Sequence, residues 1–165
     1  MSAPETHVFV DDGTMPNSRL PLLIYRAALP ADAAAIERVF SEHDWPPAWR
    51  DGVFPWHHFH PETHEALGVA SGQAKVLFGG PGGREIELAA GDVAVVPAGV
   101  GHCGVSASDD LVIVGAYPAG ATRRAASRGD PARHCALRAA VAAVAIPIAD
   151  PVQGAAGALC DIWRG

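Results

Sequence analysis

The ten residues Trp56-His57-His58-Phe59-His60-Pro61-Glu62-Thr63-His64-Glu65 hold half of the chain's eight histidines. On an extended strand, side chains two apart share a face. His58 and His60 therefore point together, while His57 and Phe59 point the other way. Pro61 ends the strand, and a tight connection returns Glu65 toward the same pair. Two imidazoles and a carboxylate converging from adjacent strands form an open metal site, and neutral imidazole with carboxylate suits Fe, Mn, Co, Ni, Cu or Zn. A fourth donor stands further on. Gly91-Asp92 opens a turn, Val93–Val96 forms a strand, Pro97-Ala98-Gly99 reverses the chain, and His102 starts the next strand, where it can face the same cavity. The expected cofactor is one divalent transition metal held by His58, His60, Glu65 and His102. His64 is the alternative donor: it adjoins Glu65 and could replace it or support it from behind. Strand neighbours face opposite sides, which favours Glu65.

A lone histidine in a protein interior is commonly a satisfied polar group. Several imidazoles packed inside a β-fold without a shared partner would be costly to bury. By the same alternation His57 and Cys103 fall off the site face. Trp56 shares the parity of His58 and His60, so it either lines the cavity mouth or packs in the core.

Three zones must position these residues. The first, up to about Trp49, has an extended start at His7–Val10, a turn at Asp11-Asp12-Gly13 and an apolar run Leu20–Tyr25. A helix follows from Pro30 to His43, with Ile36, Val39 and Phe40 at helical spacing, and Trp45-Pro46-Pro47 stops it. The middle zone, from Gly52 to Tyr117, reads as short strands: Glu65–Ala70, Ala74–Phe78, Ile86–Leu88, Val93–Val96 and Leu111–Tyr117. Glycine and proline turns separate them, which indicates a sandwich or barrel. Gly79–Gly83 lacks the Gly-Lys-Ser/Thr ending of a phosphate loop and reads as a hairpin turn. The last zone carries an alanine-rich helix from Pro131 to Ala142, a proline-interrupted stretch at Ile146–Pro151, and a tail from Gly154 to Trp163 that packs back.

A chain of 165 residues, 49% hydrophobic, suits one domain with a real core. The net charge of −6 and the scarcity of Lys and Arg argue against binding a phosphate backbone. The basic cluster Arg123, Arg124 and Arg128 reads as a solvated connection. Three widely spaced cysteines form neither a disulfide framework nor a CxxC site, and they suit a reducing, cytoplasmic setting. The N-terminal Met-Ser-Ala-Pro-Glu-Thr predicts no signal peptide, and the apolar run Ala139 to Ile148 is too short to span a membrane.

With these residues in place, the chain resembles the cupin superfamily of RmlC-like jelly rolls. Gly52, His58, His60, Glu65 and Gly72 occupy the places of the first cupin motif, and Gly91, Pro97-Ala98-Gly99 and His102 those of the second. Where the second motif continues with asparagine, Ser106 stands. Pro16-Asn17, Trp49-Arg50-Asp51-Gly52, His64-Glu65-Ala66-Leu67-Gly68, Gly115-Ala116-Tyr117-Pro118 and Asp150-Pro151-Val152 are similar to the YjlB-like cupins. The resemblance implies a double-stranded β-helix with two short helices, its barrel core at about 50–120, an N-terminal arm and helix over 1–49, and a C-terminal helix and tail over 121–165. It also implies a homodimer that exchanges edge strands.

The expected ligand is a small organic molecule in the barrel, with neither nucleic acid nor membrane as partner. Three His and one Glu leave one or two positions of a six-coordinate metal free, which points to a metalloenzyme of dioxygenase or isomerase type. The alternatives are a metal-dependent protein that binds or senses a small ligand without turnover, and a barrel with a purely structural metal. No separate general base can be assigned.

Overall fold

The computed structural model describes residues 2–165. Its strands are β1 (Glu5–Phe9), β2 (Ser18–Tyr25), β3 (Pro47–Asp51), β4 (Glu65–Ser71), β5 (Gln73–Phe78), β6 (Arg84–Ala89), β7 (Val93–Val96), β8 (His102–Ala107) and β9 (Val112–Ala116). They form two antiparallel sheets, one in the order β1-β2-β7-β4-β9-β3 and one in the order β6-β5-β8. The fold is mainly β, the double-stranded β-helix that the resemblance implies. Helix α1 (Ala33–Glu42) follows β2, and α2 (His134–Ala142) and α3 (Ala158–Arg164) follow the last strand. No helix among the described residues is long and apolar enough to cross a membrane.

The larger sheet is buried on both faces, and the alternation of its strands makes two cores. Leu22, Ile24, Leu67, Val69, Ala94, Val96 and Ile113 point inward and meet Val76, Phe78, Ile86 and Leu88 of the smaller sheet. The residues between them, including Leu23, Tyr25, Ala66, Val93, Val95 and Val114, point outward and are covered by Ile36 and Phe40 of α1 and Leu159 and Trp163 of α3. This double burial explains why β4 and β7 read as continuous apolar runs. Gly68 permits the close approach of α1, since a Cβ there would lie 2.7 Å from the Ile36 Cγ2 atom. Asp32 caps α1 by accepting from the Ala35 amide at 2.8 Å.

The structure extends the sequence reading in three places. Within the first zone, β2 pairs with β7 in the larger sheet, and β1 and β3 form its two edges. β3 was hidden by Pro47, which an edge strand tolerates because one side of its backbone needs no partner. There are three α-helices, not two. The tail from Gly154 contains α3, whose seven residues are too few to be helical alone. Docking of Leu159, Cys160 and Trp163 on the outer face holds it, with the Trp163 indole donating to the Pro21 carbonyl at 2.9 Å.

Candidate metal centre

The segment from His58 to His60 is too short for a full strand, yet it is extended and bridged on both sides. His58 pairs with His102 and Phe59 with Ser127. The His58 amide donates to the His102 carbonyl at 3.2 Å and the reverse bond is 2.8 Å, so the two histidines lie directly opposite with ring centroids 4.1 Å apart. The Gly99 amide donates to the His60 carbonyl at 2.9 Å. Alternation does the rest: Phe59 turns into a separate apolar cluster with Met15 and Leu137, while His58 and His60 face the interior of the barrel. Asn17 steadies the approach to His102, donating to the Val10 and Gly79 carbonyls at 2.7 and 3.2 Å and accepting from the Gly101 amide at 3.1 Å.

His58, His60 and His102 are buried and each offers a donor atom within 4.8 Å of the others. The Nδ1 atom of each ring faces a main-chain carbonyl: Trp56 for His58 at 2.9 Å, Arg124 for His60 at 2.8 Å, Val100 for His102 at 3.0 Å. A carbonyl only accepts, so each Nδ1 carries the proton and each neutral ring keeps a bare lone pair on Nε2. Glu65 Oε2 lies 3.2 Å from the Nε2 atoms of both His60 and His102. A carboxylate oxygen facing bare lone pairs is repulsive unless a proton or a metal ion lies among them. The donor set therefore fits a divalent transition metal, with its imidazoles already oriented by carbonyls behind them.

A proton among these atoms relieves the same repulsion. Burial pushes the Glu65 carboxyl up, but hydrogen bonds that His102 and His60 can donate from Nε2 only when protonated outweigh it and hold the group well below the usual carboxylate range. Burial pulls the His60 imidazole down, and the hydrogen bond and charge of Glu65 more than reverse this. His58, desolvated and beside His102, is lowered to about 4, so at neutral pH it presents a free lone pair.

A cavity of about 320 Å³ opens onto the cluster. Trp49, Val53, Phe54 and Leu67 give it an apolar wall, and Asp51, Tyr117 and Arg124 supply polar atoms. Strand register explains Tyr117: Ala66 of β4 pairs with Ala116 of β9, so the residue after Ala116 stands opposite Glu65 on the inner face. Burial, then the charge of Glu65, push the Tyr117 phenol up to about 12. Its oxygen accepts from the Trp49 indole at 3.2 Å. Trp49 lies flat on Gly115, where a Cβ would come within 1.9 Å of the indole, so only glycine lets the ring reach the cavity.

The Cupin domain family matches residues 49–114. The YjlB protein of Bacillus subtilis (strain 168) is 38% identical over 160 residues, covering 96% of both chains. This chain belongs to the YjlB-like cupins. Among solved structures, a double-stranded β-helix protein of Klebsiella pneumoniae subsp. pneumoniae MGH 78578 is 16% identical, with 76% of this chain and 79% of that chain covered and a TM-score of 0.38. The acireductone dioxygenase of Bacillus anthracis, which has a cadmium ion in its active center, is 19% identical, with 63% and 51% covered and a TM-score of 0.34.

In this cupin the structure brings His58, His60, Glu65 and His102 together and turns His64 elsewhere. His64 Nδ1 accepts from the Ala98 amide at 2.9 Å, its Nε2 donates to the Ala145 carbonyl at 3.1 Å, and its ring packs on Trp163 at 4.7 Å. Both nitrogens are thus spent on tying the start of β4 to the C-terminal region, away from the cluster. Trp56 is half-exposed and stacks on Phe54 at 4.8 Å; Phe54, of the same parity, is the residue that lines the cavity. The basic cluster is also divided. Arg123 pairs with Glu62 at 3.1 Å and Arg128 lies 4.3 Å over Trp56, whereas Arg124 lines the cavity. Tyr117 and Trp49 carried no sequence signal for a site role beyond their aromatic type, because the register that places them joins distant strands.

Burial of His64 lowers its pKa to about 4. An unfolded histidine titrates near 6.5, so between these values the unfolded chain binds more protons. The stability that neutral His64 contributes is complete above about pH 6.5 and is lost as pH falls toward 4, by up to roughly 3 kcal/mol. His64→Asn keeps an acceptor for Ala98 and removes the titration. Urea unfolding across pH 4–7 should therefore show a shallower acid slope in the variant, and identical slopes would refute the assignment.

Proposed function

We propose that this cupin is a metalloenzyme in which His58, His60, Glu65 and His102 hold one divalent transition metal beneath a cavity that binds a small organic molecule. The observation that supports it is the set of Nδ1-anchored imidazoles and one carboxylate converging at the floor of a cavity of about 320 Å³. Three imidazoles and one carboxylate would hold the ion with further coordination positions to spare, which a metal serving only to pin strands does not need. When bound, a redox-active metal supplies dioxygenase-type chemistry and a redox-silent one supplies Lewis-acid chemistry of isomerase type.

The chain's own residues do the remaining work. The three carbonyls hold the rings in the ligating tautomer. Glu65 contributes the negative charge that offsets a divalent ion. Trp49, Phe54 and Leu67 exclude water from the wall, and Tyr117 keeps its phenolic proton at neutral pH beside Glu65. A homodimer through the free edge of β1, where Val8 and the following Val10 are exposed, and a reducing, cytoplasmic setting for the three free thiols complete the proposal. A concentration-independent monomer mass would overturn the dimer.

Elemental analysis of untagged protein purified without chelators is expected to show near-stoichiometric metal. Iron or manganese leads to oxygen-uptake assays with catechols, thiols and keto acids, and zinc or nickel to isomerase assays. Absence of metal, with no uptake of any added ion, would remove the proposal.

A further inference from the structure

Of the residues that line the cavity, Arg124 is the one permanent cation. We propose that it anchors the carboxylate of a small apolar monocarboxylic acid, whose body lies against Trp49, Val53, Phe54 and Leu67 above the metal centre. This assignment of a substrate class rests on the function proposed above.

Arg124 is held in position from three sides. Its main-chain carbonyl accepts from His60 Nδ1 at 2.8 Å, which ties its backbone to the ring at the floor of the cavity. Its guanidinium carbon lies 5.1 Å from the centre of the Tyr117 ring, and that ring lies 5.6 Å from His60. Its Nε donates to the Ala121 carbonyl at 2.8 Å. The orientation is thereby set while the two terminal nitrogens have no hydrogen-bond or ion-pair partner among the described residues. Arg123 and Arg128 are spent differently, on Glu62 and on Trp56.

A guanidinium presents parallel N–H donors in a plane, which matches a planar carboxylate in two-point contact. A phosphate ester would call for more positive charge than one arginine, and no lysine lines the cavity. Asp51 stands on the same lining and penalises a second negative charge on the ligand, which favours a monoacid over a diacid. The remaining wall is aromatic and aliphatic, so the body of the acid is apolar. At about 320 Å³ the cavity is at the small end of ligand sites, about 300–1,000 Å³.

The test is calorimetric titration of zinc-loaded protein with phenylacetate, 4-methylpentanoate and phenylacetamide, with metal content measured on every sample. At least one acid should bind one-to-one and the amide should not. Arg124→Met should weaken acid binding roughly 10- to 100-fold, the loss expected for hydrogen bonds to a charged group. Arg124→Lys should recover part of it, and metal content should stay unchanged in both. Equal affinity in Arg124→Met, equal affinity for the amide, or no binding of either acid to metal-loaded wild type would overturn the assignment. If the wild type takes up no metal, the metal reading fails instead. The same titration then still judges Arg124: acid binding lost in Arg124→Met upholds it, and its absence overturns it.

Discussion

His58→Ala and His60→Ala are each expected to abolish tight metal binding, while His57→Ala leaves near-stoichiometric metal on the protein. The contrast rests on one feature of extended backbone: residues two apart share a face, and the residue between them does not. His58 and His60 bring their rings to within reach of His102, whereas His57 is no member of the cluster. Removing a group that only supports a ligand costs about 10–100-fold in metal affinity, so removing a ligand itself costs more. His102→Ala should match His58→Ala, since the two face each other across a bridged pair. His64→Ala should retain metal, because both ring nitrogens are engaged by Ala98 and Ala145. Elemental analysis of the untagged variants, each checked for native circular dichroism, reads the result. Equal metal loss in His57→Ala and His58→Ala would overturn the assignment of the site face.

Asp150→Ala should be the most destabilising single substitution outside the metal centre. The Asp150 side chain is wholly buried and accepts from the Val152 amide at 2.8 Å, the Gln153 amide at 3.1 Å and the Leu159 amide at 3.0 Å, and from the Tyr25 hydroxyl. It thus closes the loop before α3, holds an amide in the first turn of that helix and pins both to β2. Alanine leaves four donors facing each other in a dry interior, at about 1–3 kcal/mol for each one that water cannot reach. With partial relaxation the net loss is about 4–6 kcal/mol, which corresponds to a fall in Tm of roughly 10–20 °C for a domain of this size. Asp150→Asn keeps one acceptor oxygen and should lie between. Scanning calorimetry decides it, and a shift under about 3 °C for alanine would show that the C-terminal region contributes little to global stability.

The chemistry-bearing core of this protein was readable because it depends on short-range geometry. The parity of His58 and His60 follows from the period of an extended chain, and the turns at Gly91-Asp92 and Pro97-Ala98-Gly99 follow from residues that favour sharp reversals. Helix α1 declared itself through Ile36 and Phe40, one turn apart, and β7 through an apolar run bounded by turns. Each of these signals spans fewer than about fifteen residues, the range over which covalent geometry and propensity act.

What lay beyond that range was decided by packing and register. His64 adjoins Glu65 in sequence, yet Ala145 and Trp163, brought in from the C-terminal region, claim its ring. Tyr117 reaches Glu65 only because β4 and β9 pair with Ala66 opposite Ala116; a slip of one residue would turn it to the other face. Arg124 looked like part of a solvated connection until the His60 ring captured its carbonyl and placed its side chain over Tyr117. Helix α3 and strand β3 exist because the larger sheet offers an outer face and an edge to receive them. Sequence alone determined which residues could bind a metal and that they would share a face. The tertiary structure decided what surrounds them, because the cavity wall is assembled from segments whose only connection is the order in which the strands pair.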